Sequence, residues 1–366
     1  MTGYRKYIEF AVLLALAGAI VWLFGRRLDW HQVKLAVGNS DWRLILLAAL
    51  VILIAYFWRA LRWRAFLAPL AKASIKEIWI ATTVGFGAVL LIGRAGEVVR
   101  PVVLPMRDKR VRPAASFVTI MVERVYDSMT VFLLFGLNLL WFRPAGATAS
   151  DLAGTRNGGL LLITVLVIAL CALVTFRLKS KKIVRWIDGK IDARSRLARR
   201  LKRATLSILE QLATALGVLA NARELAVTIG WSLLLWLSVA IANLIVFKAF
   251  GLHFGFSHAL FVLGWSMIGS AIPTPGGAAG AFHAITGAAL VLLGVAKEQA
   301  AAIAIILHLV DFAPAALFGL FYFLRGDVNL ARLRSLMATT AVEHAVEDEK
   351  IKVIANTKQF KTAAAD

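Results

Sequence analysis

The sequence predicts an all-α polytopic membrane protein, with about six full spans plus two re-entrant or broken-helix hairpins in an inverted repeat. Three observations predict it. The 366 residues are 60% hydrophobic, with a mean hydropathy of +0.76, whereas soluble domains are roughly half apolar. Several runs carry almost no charge over about 20 residues, the length a helix needs to cross the hydrocarbon. Two apolar runs are broken in corresponding places. One break is Gly93-Arg94-Ala95-Gly96-Glu97 with Arg100-Pro101; the other is Pro273-Thr274-Pro275-Gly276-Gly277 with His283. Glycine, proline and ionisable groups are tolerated at membrane depth where they line a cavity. The apolar runs are continuous rather than alternating, which excludes an outer-membrane barrel.

The first span reads as residues 8–24, behind Arg5 and Lys6. It ends at Gly25-Arg26-Arg27 with no small-x-small cleavage pattern, so it reads as an uncleaved span. The second, 44–57, is short and extends through Arg59, Arg62 and Arg64, whose long stems are expected to snorkel to the interface. Residues 77–92 and 98–105 form an inner hairpin, because both flanks, 59–76 and 107–112, are basic. Full spans follow at 117–142 and 160–176. Segment 177–203 holds twelve Lys or Arg against Asp188 and Asp192 and is expected in the cytoplasm. Residues 206–219 read as an amphipathic surface helix. After a span at 225–250, residues 259–272 and 279–295 form an outer hairpin or, in a competing reading, two tilted spans. Residues 300–324 are the last span. Trp22, Trp42, Trp58, Trp63, Trp141 and Trp231 fall near span ends, where amphipathic rings prefer to sit.

Two halves result, each a span, a hairpin and a span. Residues 1–325 form the membrane domain, with a basic cytoplasmic loop and amphipathic helix over 177–224. Residues 326–366 form a cytoplasmic tail. Loop charge places both termini in the cytoplasm of a cell whose inner, plasma membrane holds the chain. The net charge of +21 is explained by these loops; no RNA-binding aromatic motif or zinc-finger spacing points to nucleic acid. Cys171 is the only cysteine, which excludes an intramolecular disulfide or a CxxC site. No GxxxxGK[ST] loop occurs, so active transport would draw on an ion gradient or a partner. No cofactor or metal is expected.

The charged groups inside the apolar runs are the candidate site. Glu123, Arg124 and Asp127 lie within five residues of the 117–142 span, with Glu123 and Asp127 on one helical face. Each charge costs a few kcal/mol at that depth and needs a partner. His308 and Asp311 hold a similar depth in the last span, one turn before Pro314. In the inner hairpin Arg94 and Arg100 bracket Glu97. Planar guanidinium forks suit phosphate or carboxylate, and Gly93 and Gly96 let the backbone approach a ligand. The start of the following helix offers free N–H groups to an anion. Two readings stand side by side: a phosphate pocket, and an internal salt bridge of Glu97 with Arg94, Arg100 or Arg124. Pro273, Pro275, Gly276 and Gly277 break the second hairpin. His283 reads as a packing residue, a head-group ligand or a proton exchanger.

Gly93-Arg94-Ala95-Gly96-Glu97-Val98-Val99-Arg100-Pro101, then Glu123-Arg124 with Asp127, then Pro273-Thr274-Pro275-Gly276-Gly277 resemble the membrane domain of lysylphosphatidylglycerol synthetase/flippase proteins. The resemblance runs from about Tyr4 to Arg325. It implies movement of lipid between leaflets, with anionic or aminoacylated phospholipid as the substrate class. It carries a structural or gating role to Arg94, Glu97, Arg100, Glu123, Arg124, Asp127, Pro275, Gly276 and Gly277. Members often carry an acidic residue soon after the Pro-Gly-Gly turn; this chain has His283, so a lysyl-lipid cation loses a partner there. About 40 residues follow Arg325, too few for the family's soluble aminoacyl-transfer domain.

The expectation is therefore a non-enzymatic lipid flippase. Arg94, Glu97, Arg100, Glu123, Arg124, Asp127, His283, His308 and Asp311 would handle a phospholipid or glycolipid head group. Gly93, Gly96, Pro101, Pro273, Pro275, Gly276 and Gly277 would shape or gate the cavity. The alternative is a non-transporting lipid-binding partner of an envelope-lipid biosynthetic enzyme. An intramembrane transferase finds no nucleophile–base spacing.

Overall fold

A computed structural model of the chain describes residues 25–26, 28–143, 149–190, 222–272 and 275–326. The expected first span, the 206–219 helix, the tail, and Pro273 with Thr274 lie outside the described residues. So do the side chains of Arg94 and Pro275.

The described residues form α-helices and one stretch of 3₁₀ helix, with no strand among them. Helix α1 (Trp30–Gly38) and helix α2 (Trp42–Leu67) each start on an aspartate cap. The carboxylates of Asp29 and Asp41 accept from the first free backbone N–H groups of their helices. Helix α3 (Ile75–Ile92) runs into one stretch of 3₁₀ helix (Gly93–Val98) and then into the nine-residue α4 (Val99–Arg107). Pro113 opens α5 (Pro113–Trp141) at the position where a missing N–H costs nothing. Then come α6 (Ala149–Lys190), α7 (Ala222–Ala249), α8 (Phe256–Ala271), α9 (Pro275–Leu292) and α10 (Lys297–Leu324).

Among the described residues, four helices are long and apolar enough to cross a membrane: Trp42–Leu67, Ala153–Phe176, Arg223–Ala249 and Lys297–Leu324. Helix α5 is 29 residues long but carries three charges. Exposed side chains on α2 (Leu46, Leu50, Ile54 and Phe57) follow one helical stripe, the pattern of a lipid-facing surface. Ala48, Ile52, Ala55, Tyr56, Arg59, Arg62, Trp63 and Phe66 form the opposite, buried stripe.

The packing has a two-fold pattern. Helices α2 and α7 make the most extensive contact and α3 packs on α10, while α8 packs on α5. Small residues allow these approaches, as they do generally between membrane helices. A Cβ added to Gly319 of α10 would sit 2.6 Å from the Thr83 carbonyl oxygen of α3; one on Gly264 of α8 would sit 2.2 Å from the Phe135 ring of α5. Each of these three contacts joins a helix of one half to a helix of the other.

Several expectations need correction. Segment 177–190 does not begin a loop; it continues α6, whose 42 residues reach about 63 Å at 1.5 Å each. Its Lys, Arg, Leu and Ile residues are compatible with helix, and no proline stops it. The turn at Gly93–Val98 is helical rather than open, and Val98 has helical angles (φ −70°, ψ −23°). Helix α4 therefore does not present the open N-terminus expected for an anion. The second break falls as expected, since α8 ends at Ala271 and α9 opens at Pro275, a favourable first position for proline; Gly276 and Gly277 lie in the first turn of α9 rather than in the break. The backbone departs from helical geometry three residues after Pro275, where Ala278 takes φ 65°, a left-handed conformation costly for an L-residue. Helix α10 continues through Pro314.

Candidate functional site: a buried arginine–carboxylate cluster

The chemistry concentrates where α2, α4, α5 and α7 converge. Asp127 lies at the middle of α5 and Glu123 one turn earlier, both with 0% exposure. Leaving two carboxylates bare in an apolar interior would be prohibitive, so each must be met by cations and hydrogen bonds. Arg100 from α4 grips Glu123 with both arms, Nη1 to Oε1 at 2.5 Å and Nη2 to Oε2 at 2.9 Å. Arg59 from α2 bridges the two acids, donating to Glu123 at 3.3 Å and to Asp127 at 3.0 Å. Arg62, one turn on, donates to Asp127 at 2.7 Å and to the Ser232 hydroxyl of α7 at 3.1 Å. Trp236 of α7 adds its indole N–H to Asp127 at 3.0 Å. Arg124 donates to Glu123 at 3.3 Å and lies 3.7 Å from Asp127.

Four guanidinium groups thus share two carboxylates. The Nε–H groups of Arg59, Arg62, Arg100 and Arg124 are buried with no hydrogen-bond partner among the described residues. Aromatic faces take up part of the excess charge. Arg100 lies 4.1 Å from the Trp63 ring centroid, and Arg59, Arg100 and Arg124 lie 4.9, 5.7 and 5.9 Å from that of Phe86. Of the four, Arg124 reaches a surface, its side chain 32% exposed. It opens with Glu97, Arg100, Gly85, Phe86, Val89 and Ile120 onto a narrow cleft. Gly85 and Gly96 permit this shape. An added Cβ would meet the Arg100 Cβ at 2.6 Å from Gly85, and the α3 backbone at Ala88 at 2.4 Å from Gly96.

The structure brings together Glu97, Arg100, Glu123, Arg124 and Asp127, as the sequence suggested, but changes their partners. The carboxylate that holds Arg100 and Arg124 is Glu123, not Glu97. Pro101 is buried in the first turn of α4, where proline is tolerated. Arg59 and Arg62 do not snorkel; they turn inward, 7% and 0% exposed, while Arg64 is exposed. Both fall on the buried stripe of α2, the signal that marks them. Trp63 is no interfacial anchor either. It is fully buried and donates its indole N–H to Thr119 at 3.0 Å.

No ion pair of the cluster includes His283, His308 or Asp311 among the described residues. The imidazoles of His283 (α9) and His308 (α10) meet with ring centroids 5.0 Å apart. Phe312 stands between His308 and Phe86, at 4.9 and 6.5 Å. The backbone carbonyl of Asp311 accepts from the Tyr56 hydroxyl at 2.8 Å.

Fold and site together define a multi-pass helical membrane protein built around a buried cluster of arginines and carboxylates. The chain belongs to the lysylphosphatidylglycerol synthase transmembrane-region family, whose pattern it matches over residues 9–319. It is also similar to a protein named glycosyltransferase AglD of Haloferax volcanii, at 25% identity over 366 residues of alignment; the match covers 92% of this chain and 55% of that relative. The chain spans about half the length of the curated relative it matches.

Proposed function

We propose that this protein moves an anionic phospholipid, or a lipid-linked sugar phosphate, between the leaflets of the plasma membrane. One observation carries the reading: four guanidinium groups, three of them buried, share two carboxylates, with unused Nε–H donors, beside a cleft where Arg124 is within reach of a ligand. Such an excess favours a phosphate, which guanidinium forks bind with two parallel hydrogen bonds. A phosphate at the cleft takes Arg124 and the free edge of Arg100, while Glu97 limits how long it stays. Glu123 and Asp127 keep the empty site neutral enough to exist in lipid, and Arg94 stands on the same turn as Glu97. The α3–α4 and α8–α9 pairs act as opposed hairpins, the arrangement in which discontinuous helices meet at the midplane. Pro275, Gly276 and Gly277 open the second arm of the second hairpin. The termini lie in the cytoplasm.

The test is transbilayer movement of fluorescent phosphatidylglycerol, phosphatidylethanolamine and a polyprenyl phosphosugar in vesicles holding the purified chain. Movement that is lost in Arg124→Ala and altered in Glu97→Gln supports the reading. Unchanged movement in both folded variants sinks the role of the cleft.

A second reading rests on the similarity to a protein named a glycosyltransferase, which extends well beyond this chain's length. In it the cluster holds a lipid phosphate for an enzyme without carrying it across, and the basic end of α6 docks that enzyme. Phosphate-lipid binding without transbilayer movement would favour it.

A further inference from the structure

The buried imidazoles of the second half have no part in the arginine cluster. His308 lies near the middle of the 28-residue α10 and is 4% exposed. Its ring meets His283 of α9 at 5.0 Å, Phe282 at 5.2 Å and Phe312 at 4.9 Å. Asp311 follows His308 by three residues, on the same side of α10. Histidine is the side chain that changes charge most readily near neutral pH. Two imidazolium cations at this separation repel strongly in an apolar setting, so the pair takes one proton rather than two.

The charged surroundings define where that proton acts. From α2, the Tyr56 hydroxyl donates to the Asp311 backbone carbonyl, and Arg59 is the charged group that acts on the Asp311 carboxylate. From α9 comes His283 alone, since Pro275–Leu292 holds no other titratable side chain. From α3, Phe86 meets Phe312 and no charge intervenes. Lys34 and His31 of α1 and Lys248 of α7 are exposed. Arg100 and Arg124 lie 5.7 and 5.9 Å from the Phe86 ring centroid. A chain of ring contacts, His308 to Phe312 to Phe86, links the imidazole pair to the arginines that line the cleft.

We propose that His283, His308 and Asp311 form a proton-binding site that couples lipid movement to the transmembrane proton gradient, an inference that rests on the transport reading above. A proton on the pair adds positive charge behind Phe86 and strengthens the hold of the cleft on phosphate; its release weakens that hold. A singly charged lipid anion crossing with one proton is electroneutral, so the membrane potential does not oppose it. The acid–base exchange forms and breaks only N–H or O–H bonds, with the proton passing between water and the site.

The experiment uses the full chain in phosphatidylcholine vesicles holding fluorescent phosphatidylglycerol, with and without an imposed gradient of one pH unit. A trapped pH dye reports proton flux. One-to-one coupling drives a leaflet ratio approaching about tenfold, the equivalent of one pH unit, and a protonophore collapses it. His308→Gln returns the ratio towards one and abolishes lipid-dependent proton flux. Since a buried histidine variant can fail to fold, Asp311→Asn, at a half-buried position, must show the same loss. Wild-type movement that equilibrates the leaflets equally at every gradient overturns the proton site and leaves the transport reading standing. No movement with or without a gradient overturns the transport reading, and the proton site with it.

Discussion

Arg100 grips both carboxylate oxygens of Glu123, at 2.5 and 2.9 Å, where Glu123 has no exposure to solvent. The pair fastens the short α4 to the long α5 and settles how the first hairpin sits. Gly85 lets α3 pass directly over the Arg100 stem, and Trp63 supplies an aromatic face beneath the guanidinium. Hairpin, span and charge cluster are therefore one unit, and a change in any of them reaches the cleft.

Glu123→Gln tests that unit. The amide cannot offset the charge of Arg100, Arg59 and Arg124, and breaking a buried pair costs about 3–5 kcal/mol. We expect loss of folded protein, seen as a collapse of the monodisperse peak in detergent. Arg124→Ala, at a partly exposed position, should leave that peak intact.

Gly96→Ala should prevent the turn from closing. The new Cβ would lie 2.4 Å from the backbone of Val89 and Ala88, and backbone cannot move aside as a side-chain tip can. Overpacking of this kind costs about 1–3 kcal/mol. A lowered melting temperature is expected, together with new cleavage near residues 93–98 in limited proteolysis. A variant as stable as the parent would show that the turn does not lie against α3.

Much of this site was legible in the sequence, and the failures have a common cause. Glu123, Arg124 and Asp127 stand out because charge in an apolar helix has no cheap resting place. Arg59 and Arg62 were misread because an arginine near a span end does have one, the interface. What separates the two fates is register: positions 52, 55, 56, 59, 62, 63 and 66 share one face, and that face is the core. Arg100 has a candidate partner three residues away, Glu97, within its own segment. Its partner in the fold, Glu123, lies on the next helix and is found only by folding α4 against α5. The meeting of His283 with His308 was hidden for the same reason, since α9 must dock on α10 to create it.

Asp108 should make stability acid-sensitive. Its carboxylate accepts from Arg110 Nε at 2.8 Å and Nη2 at 2.7 Å, from the Arg110 backbone at 3.1 Å, and from the Ser74 backbone at 3.5 Å. The side-chain bonds from Arg110, above all, hold it below the usual carboxylate range. A depressed folded value contributes stability that is present above the unfolded value, near 3.8, and lost as pH falls through the folded one. Asp108→Asn should therefore melt below the parent from pH 8 to 5, with the gap closing below about pH 4. A gap that widens in acid would contradict the sign.

Arg62 and Asp127 invite a double-mutant cycle. Arg62 ties Asp127 to Ser232 and thereby joins α2, α5 and α7. Arg62→Met leaves Asp127 with Arg59, Trp236 and the more distant Arg124; Asp127→Asn leaves Arg62 with Ser232 and Glu123, which lies 3.6 Å away. Each single change should cost about 3–5 kcal/mol, because a charge is left buried with too few partners. Arg62→Met with Asp127→Asn removes both charges together. It should cost less than the sum by about 1–3 kcal/mol, the coupling of groups in one network. Urea or heat unfolding of the four proteins in one detergent supplies the measurement. Strict additivity would mean that the two side chains do not share an ion pair, and that Asp127 is held by Arg59 and Trp236 alone.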